Sequence, residues 1–388
     1  MAVNPRFIRW ALILAILVLV ALNYNAILSF ITRPFGISLD ATLGGPVTAV
    51  VPQGFEVNIF ARDLKGPRLM AVGPDGTVYV AEQAGGRVSA LPDKDRDGQA
   101  DQQITVAGGL TGPNSVFVYS GTLIVGEHTR VSQIVLGPDY KVVERKTLIP
   151  DLPNDGVHHT KTALVGPDGK LYVSIGSSCN ICTEGDERRA AISVYNIDGT
   201  AGRVFTKGTR NAVGLAFNPW TDEIWASNNG RDLMGDDTPP ETVYALADGA
   251  DAGWPRCHAG SIVDPEFGGK DACKDVIQPA AQMQAHMAPL GITFYKDGPF
   301  PAPYNDSLYI ALHGSWNRSV KVGYKVMHVP LKDGVVTGEP QDFMTGFLKG
   351  DNDVLGRPAG VAVAADGSLL VSDDKAGFIY RVAWAGKP

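Results

Sequence analysis

The chain has 388 residues, a formal net charge of −7 and 44% apolar residues. Lys and Arg are scattered rather than massed, so there is no electrostatic footprint for nucleic acid. The apolar content excludes wholesale disorder, and 45 glycines with 26 prolines point to a turn-dense all-β chain.

In chain order, residues 1–33 come first and are unlike the rest. Arg6 and Arg9 precede Trp10–Leu22, thirteen apolar residues without a break, and Ala26–Ile31 resumes the trend after Asn23-Tyr24-Asn25. The stretch has the length of a signal-peptide core or, taken whole, of an anchor. With no small-x-small cleavage site after Leu22, a signal anchor is the preferred reading. Its two arginines hold the N-terminus in the cytoplasm and place the remainder on the periplasmic side of the cytoplasmic membrane, or free in the periplasm if the segment is cleaved. Residues 34–50, ending in Gly44-Gly45-Pro46, read as a linker.

From residue 51 to 388 one pattern recurs. Gly73-Pro-Asp-Gly76 leads into Thr77–Val80, Gly166-Pro-Asp-Gly169 into Lys170–Val173, and Ala365-Asp-Gly367 into Ser368–Val371. Weaker copies precede Thr122–Val125, Glu223–Ala226 and Ser307–Ala311. Asp-Gly suits the turn of a hairpin because both residues tolerate positive φ. Repeats of roughly 40–50 residues predict a six-bladed β-propeller, with Val51–Ala61 completing the last blade. The wide spacing between Gly230 and Pro289 predicts an insertion within 231–287, where a site can be built on a rigid scaffold.

Upstream of several turns stands one polar residue in an equivalent position: Arg68, Asn114, His158, Arg210 and Arg357. In a radial array such positions converge on the central channel. A His there suits a general base, and a ring of cations suits a planar polyanion. Cys179/Cys182 and Cys257/Cys273 read as two local disulfides of an oxidising compartment. Asn228–Glu241 is rich in oxygen donors and glycine, which suits Ca²⁺, and Asp93-x-Asp95-x-Asp97-Gly98 matches the first half of a calcium loop.

These residues resemble the pyrroloquinoline quinone (PQQ)-dependent sugar dehydrogenases, in particular the sorbosone dehydrogenase-like branch, over residues 50–385. The most specific pieces are Asn154–Thr160, Gly169–Cys182, Arg210-Asn211-x-x-Gly214-Leu215, Gly253-Trp254-Pro255, His313–Arg318 and Gly356-Arg357-Pro358. The resemblance implies a propeller holding PQQ and Ca²⁺ at the top of its channel. It implies His158 as catalytic base, with His159 as the near alternative, and Arg210 as its catalytic partner. It further implies Gln83, Asn211, Arg357 and, by a gapped match, Arg318 or Lys321 as cofactor contacts. The main-chain carbonyls of Gly230 and Arg231 correspond to calcium ligands. The soluble glucose dehydrogenases carry an aspartate directly before the base, whereas Val157 stands here; Asp155 takes that role, or the base works without a carboxylate.

The implied reaction is oxidation of an aldose, a sorbosone-like aldehyde or a related sugar by hydride transfer to PQQ, with electrons passed to an external acceptor. A Ca²⁺-dependent lactonase-like hydrolase, with Asn228, Asn229 and Asp232 as calcium ligands, is the rival enzyme. A non-enzymatic binding propeller is the third class.

Overall fold

The computed structural model describes residues 47–386. The anchor expected at 1–33 and most of the linker at 34–50 lie outside the described residues. Among the described residues no helix is long and apolar enough to cross a membrane.

Six antiparallel sheets form the six blades. In three blades an Asp-Gly turn joins the innermost strand to the second, and in the other three a different connection does. These inner pairs are Pro67–Val72/Val78–Glu82, Ser115–Tyr119/Thr122–Gly126, Lys161–Val165/Leu171–Ile175, Ala212–Phe217/Ile224–Asn228, Pro289–Tyr295/Ser307–Leu312 and Pro358–Val363/Leu369–Asp373. The aspartate does more than tolerate the turn. Asp75, Asp168 and Asp366 each accept the backbone N–H two residues on, and Gly76, Gly169 and Gly367 follow at φ of 88°, 72° and 79°.

Phe55–Ala61 pairs antiparallel with Phe378–Trp384, so the N-terminal strand closes the last blade. Phe55 anchors this closure edge-on against Phe300, Tyr304 and Phe343 of blade five. Upstream of it, Val47 and Ala49 are buried and Val50 exchanges both backbone hydrogen bonds with Thr345. The end of the stretch read as linker thus packs on the propeller.

The insertion in blade four is narrower than the sequence spacing indicates. Glu241–Ala245 is that blade's third strand and Ala281–Met283 its fourth, leaving 246–280 as the excursion. The Cys257–Cys273 disulfide closes it, and Cys179–Cys182 forms as well.

Candidate active site

The inner strands bring the recurring polar residues together, but not to one purpose. Arg68 Nε donates to Asn114 Oδ1 at 3.1 Å, Asn114 Nδ2 to Thr162 Oγ1 at 3.0 Å, and Thr162 Oγ1 to the Val213 carbonyl. This buried chain crosses four blades. Arg68 and Asn114 are therefore structural.

His158 lies where the third blade's innermost strand begins. Its Nδ1 is 2.9 Å from the Ser177 carbonyl and 3.0 Å from Ser177 Oγ. The hydroxyl itself donates to the Cys179 carbonyl, so Nδ1 must carry the proton that meets the Ser177 carbonyl. Nε2 is left as an open acceptor with no partner among the described residues. Burial, with Arg210 nearby, pulls the imidazole pKa down to about 3 and keeps it neutral. Asp155 is not its orienter, because that carboxylate pairs with Arg189. His159 is exposed, bonded through Nδ1 to the Asn154 carbonyl. Gly176 is where His158 and Asn211 converge: a Cβ there would lie 2.4 Å from Asn211 Oδ1 and 2.7 Å from His158 Cβ.

Arg210 is buried and nearly saturated. Nε donates to the Asn180 carbonyl at 2.9 Å and Nη2 to Asn180 Oδ1 and Asp232 Oδ2, both at 2.8 Å. Nη1 reaches the Asn229 carbonyl at 3.3 Å. The Cys179–Cys182 bridge holds Asn180 between its two half-cystines, so the disulfide loop is the clamp on Arg210. Arg210 shares with Gly230 and Arg231 a gap of about 10 Å³, roughly the room one water takes. Neither the Gly230 nor the Arg231 carbonyl accepts a hydrogen bond from a described residue. The Arg231 side chain instead fastens the insertion, pairing with Asp264 and Glu266.

A separate, larger cavity of about 670 Å³ has none of His158, Arg210, Asn211, Gly230 or Arg231 in its lining. Gln83, Lys321 and Arg357 line it, together with His313, Trp316, Tyr324 and Asp374. The Arg357 guanidinium stands 5.6 Å over the Tyr324 ring and donates to no acceptor among the described residues. Among the described residues Lys321 Nζ reaches only Asn352 Oδ1, at 3.4 Å. Arg318 points elsewhere: it bonds the Ala285 carbonyl at 2.9 Å, the Asp236 carbonyl and Asp237. The same loop joins the two cavities, since Asn317 Nδ2 donates to Asp232 Oδ1 at 2.9 Å while Asp232 holds Arg210.

Sequence reasoning missed Asn180 and Asp374, and it weighed Asp232 only as a calcium ligand of the hydrolase, not as the partner of Arg210. For Asn180 a signal existed, in its place between two bridging cysteines. The expected half calcium loop does gather the carboxylates of Asp93, Asp95 and Asp97, but these are spent on the backbone N–H groups of 97–99.

With this geometry in hand, the chain can be placed among known proteins. The TrAA12-like family profile matches residues 49–244 and 262–385. The chain belongs to the TrAA12-like family. The unmatched internal stretch, 245–261, covers the first part of the insertion. An uncharacterized protein of Borreliella burgdorferi is 29% identical over 92% of this chain and 97% of its own length. A PQQ-dependent sugar dehydrogenase of Hypocrea jecorina is 24% identical over 88% of this chain and 90% of its own. The holo PQQ domain of Coprinopsis cinerea pyranose dehydrogenase shares the fold at a TM-score of 0.76 and 23% identity, covering 87% of this chain and 97% of that domain. In sequence, the match to the whole Coprinopsis enzyme spans 61% of this chain and 41% of the enzyme.

Proposed function

We propose that this TrAA12-like chain is a PQQ- and Ca²⁺-dependent dehydrogenase of sugars or sugar-like aldehydes, working on the periplasmic side of the membrane. One observation carries the reading. The large cavity presents an Arg357 guanidinium and a Gln83 side chain that have no hydrogen-bond partner among the described residues, beside a barely engaged Lys321. Both cations are half-buried, and a planar ligand with several carboxylates would satisfy them. The free Gly230 and Arg231 carbonyls are the hard oxygen donors that Ca²⁺ takes.

Arg357, Lys321 and Gln83 would hold PQQ, and Gly230 and Arg231 the calcium. The chemistry these groups supply when bound is two-electron oxidation, which no side chain here provides. His158 takes the substrate hydroxyl proton at Nε2, since its Nδ1–H is committed to Ser177. Asp232 and Asn180 fix Arg210, whose one remaining Nη1 hydrogen is directed by four bonds rather than free to rotate. The electrons would go to an external acceptor, since the sequence given carries no haem-attachment motif.

Two of the three ligands of the hydrolase reading are engaged by protein donors. Asn228 Oδ1 accepts the Asn211 N–H, and the two Asp232 oxygens serve Arg210 and Asn317. Titration of purified residues 40–388 with PQQ and Ca²⁺, followed by absorbance, tests the proposal. A stoichiometric, Ca²⁺-dependent spectral change is expected. No change with Ca²⁺ present and the disulfides formed would overturn it in favour of a hydrolase or a binding propeller.

A further inference from the structure

The cavity wall contains a histidine–carboxylate pair that the mechanism does not use. His313 follows the second strand of blade five and Asp374 the second strand of blade six, so both sit at strand ends facing the cavity. His313 Nε2 lies 3.0 and 2.9 Å from the two Asp374 oxygens. Asp374 Oδ2 also takes Arg68 Nη1 at 2.7 Å, and Arg68 is fixed in turn by Asn114. A carboxylate that accepts from Nε2 makes Nε2 the protonated nitrogen. Nδ1 is then the acceptor, and it has neither a partner among the described residues nor a place among the sealed unpaired atoms. The remaining space it can face is the cavity.

We infer that His313, oriented by Asp374, is a ligand-positioning acceptor that takes an N–H or O–H hydrogen bond from whatever the cavity's cations bind. This rests on the proposed function, in which that ligand is PQQ, a planar tricarboxylate with one pyrrole N–H. Arg357 and Lys321 recognise carboxylates at any orientation of the ring plane. An acceptor at one fixed point distinguishes the orientations, because only one of them presents the donor there. Burial, with Arg68 and Arg357 near, holds the His313 pKa below its usual value, so the ring is neutral and its lone pair is present at pH 7.

The tautomer makes the inference testable. In Asp374→Asn, the amide oxygen is claimed by Arg68 and the amide NH₂ meets His313 Nε2. The ring must invert, and Nδ1 becomes a donor aimed at the ligand's own donor. Nitrogen-15 NMR of the apo-protein at pH 7 should show Nε2–H in the wild type and Nδ1–H in the variant. PQQ affinity in the presence of Ca²⁺ should fall about 10- to 100-fold in Asp374→Asn and in His313→Phe. His313→Gln, whose amide oxygen can still accept, should recover much of it, with circular dichroism confirming that each variant is folded. Wild-type affinity in His313→Phe, or equal losses in the Phe and Gln variants, would overturn the inference and leave the quinoprotein reading intact. Absence of PQQ binding by the wild type would remove both.

Discussion

Arg210 and Arg357 occupy equivalent places in the repeat, yet replacing each by methionine should have opposite consequences. Arg210→Met deletes four hydrogen bonds in a buried setting and strands the Asp232 carboxylate, which keeps only Asn317 as a partner. Breaking a buried ion pair from one side costs about 3–5 kcal/mol. Arg357→Met loses only a stacking contact with Tyr324 at 5.6 Å. That contact is worth about 0.5–1 kcal/mol at a partly exposed site. Its effect should fall on binding instead: one charge-assisted bond to a carboxylate is worth about 1.5–3 kcal/mol, or roughly 10- to 150-fold in the PQQ dissociation constant. Denaturant unfolding of the apo-proteins reads the first quantity, and absorbance titration with PQQ and Ca²⁺ reads the second. Arg357→Met as unstable as Arg210→Met, or bound to PQQ as tightly as wild type, would refute the assignment of one arginine to the scaffold and the other to the ligand.

Gly176→Ala should leave the fold intact but push apart His158 and Asn211, which a Cβ would meet at 2.7 and 2.4 Å. Misplacement of this order costs about 100-fold in turnover, so near-normal kinetics with an artificial electron acceptor would contradict the placement of the base. His158 also predicts a pH effect. Its folded pKa of about 3 lies below the usual value, so the unfolded chain binds the proton first and stability falls as pH drops from the unfolded pKa toward 3. His158→Gln should therefore gain on wild type by about 2–3 kcal/mol between pH 7 and 4.5, and a constant stability difference would argue against a buried neutral ring. Cys257→Ser opens a disulfide spanning 16 residues and should cost about 3 kcal/mol. Limited proteolysis would then cut between 257 and 273 before the blades, whereas an unchanged digestion pattern would mean that Arg231 with Asp264 and Glu266 holds the insertion unaided.

The blades were legible because their signal is local. A turn that needs positive φ and an aspartate bonded two residues onward is written in four consecutive letters, and it recurs. His158 and Arg357 were legible by their offset from those turns. Arg318 and Lys321 could not be told apart by any local rule, because acceptors 33 to 82 residues away decide the matter. Asp236, Asp237 and Ala285 capture Arg318, and nothing comparable captures Lys321. The same holds for the orienter of His158. The sequence offered Asp155 nearby, but Arg189 takes that carboxylate, and the backbone of Ser177 from the neighbouring strand end does the work.

A cation near a channel axis is thus informative only after its acceptors are counted. Arg68 is spent on Asn114 and Asp374, Arg210 on Asn180, Asn229 and Asp232, and Arg231 on Asp264 and Glu266. Each of these raises the rigidity of the wall and contributes little free charge to a ligand. Arg357 and Lys321 remain, on one side of one cavity, with the Asp374–His313 pair fixed by Arg68 between the spent and the unspent. The asymmetry follows from the repeat itself: the five equivalent positions cannot all face a ligand of one orientation, so those that do not meet it are used to hold neighbouring blades in place.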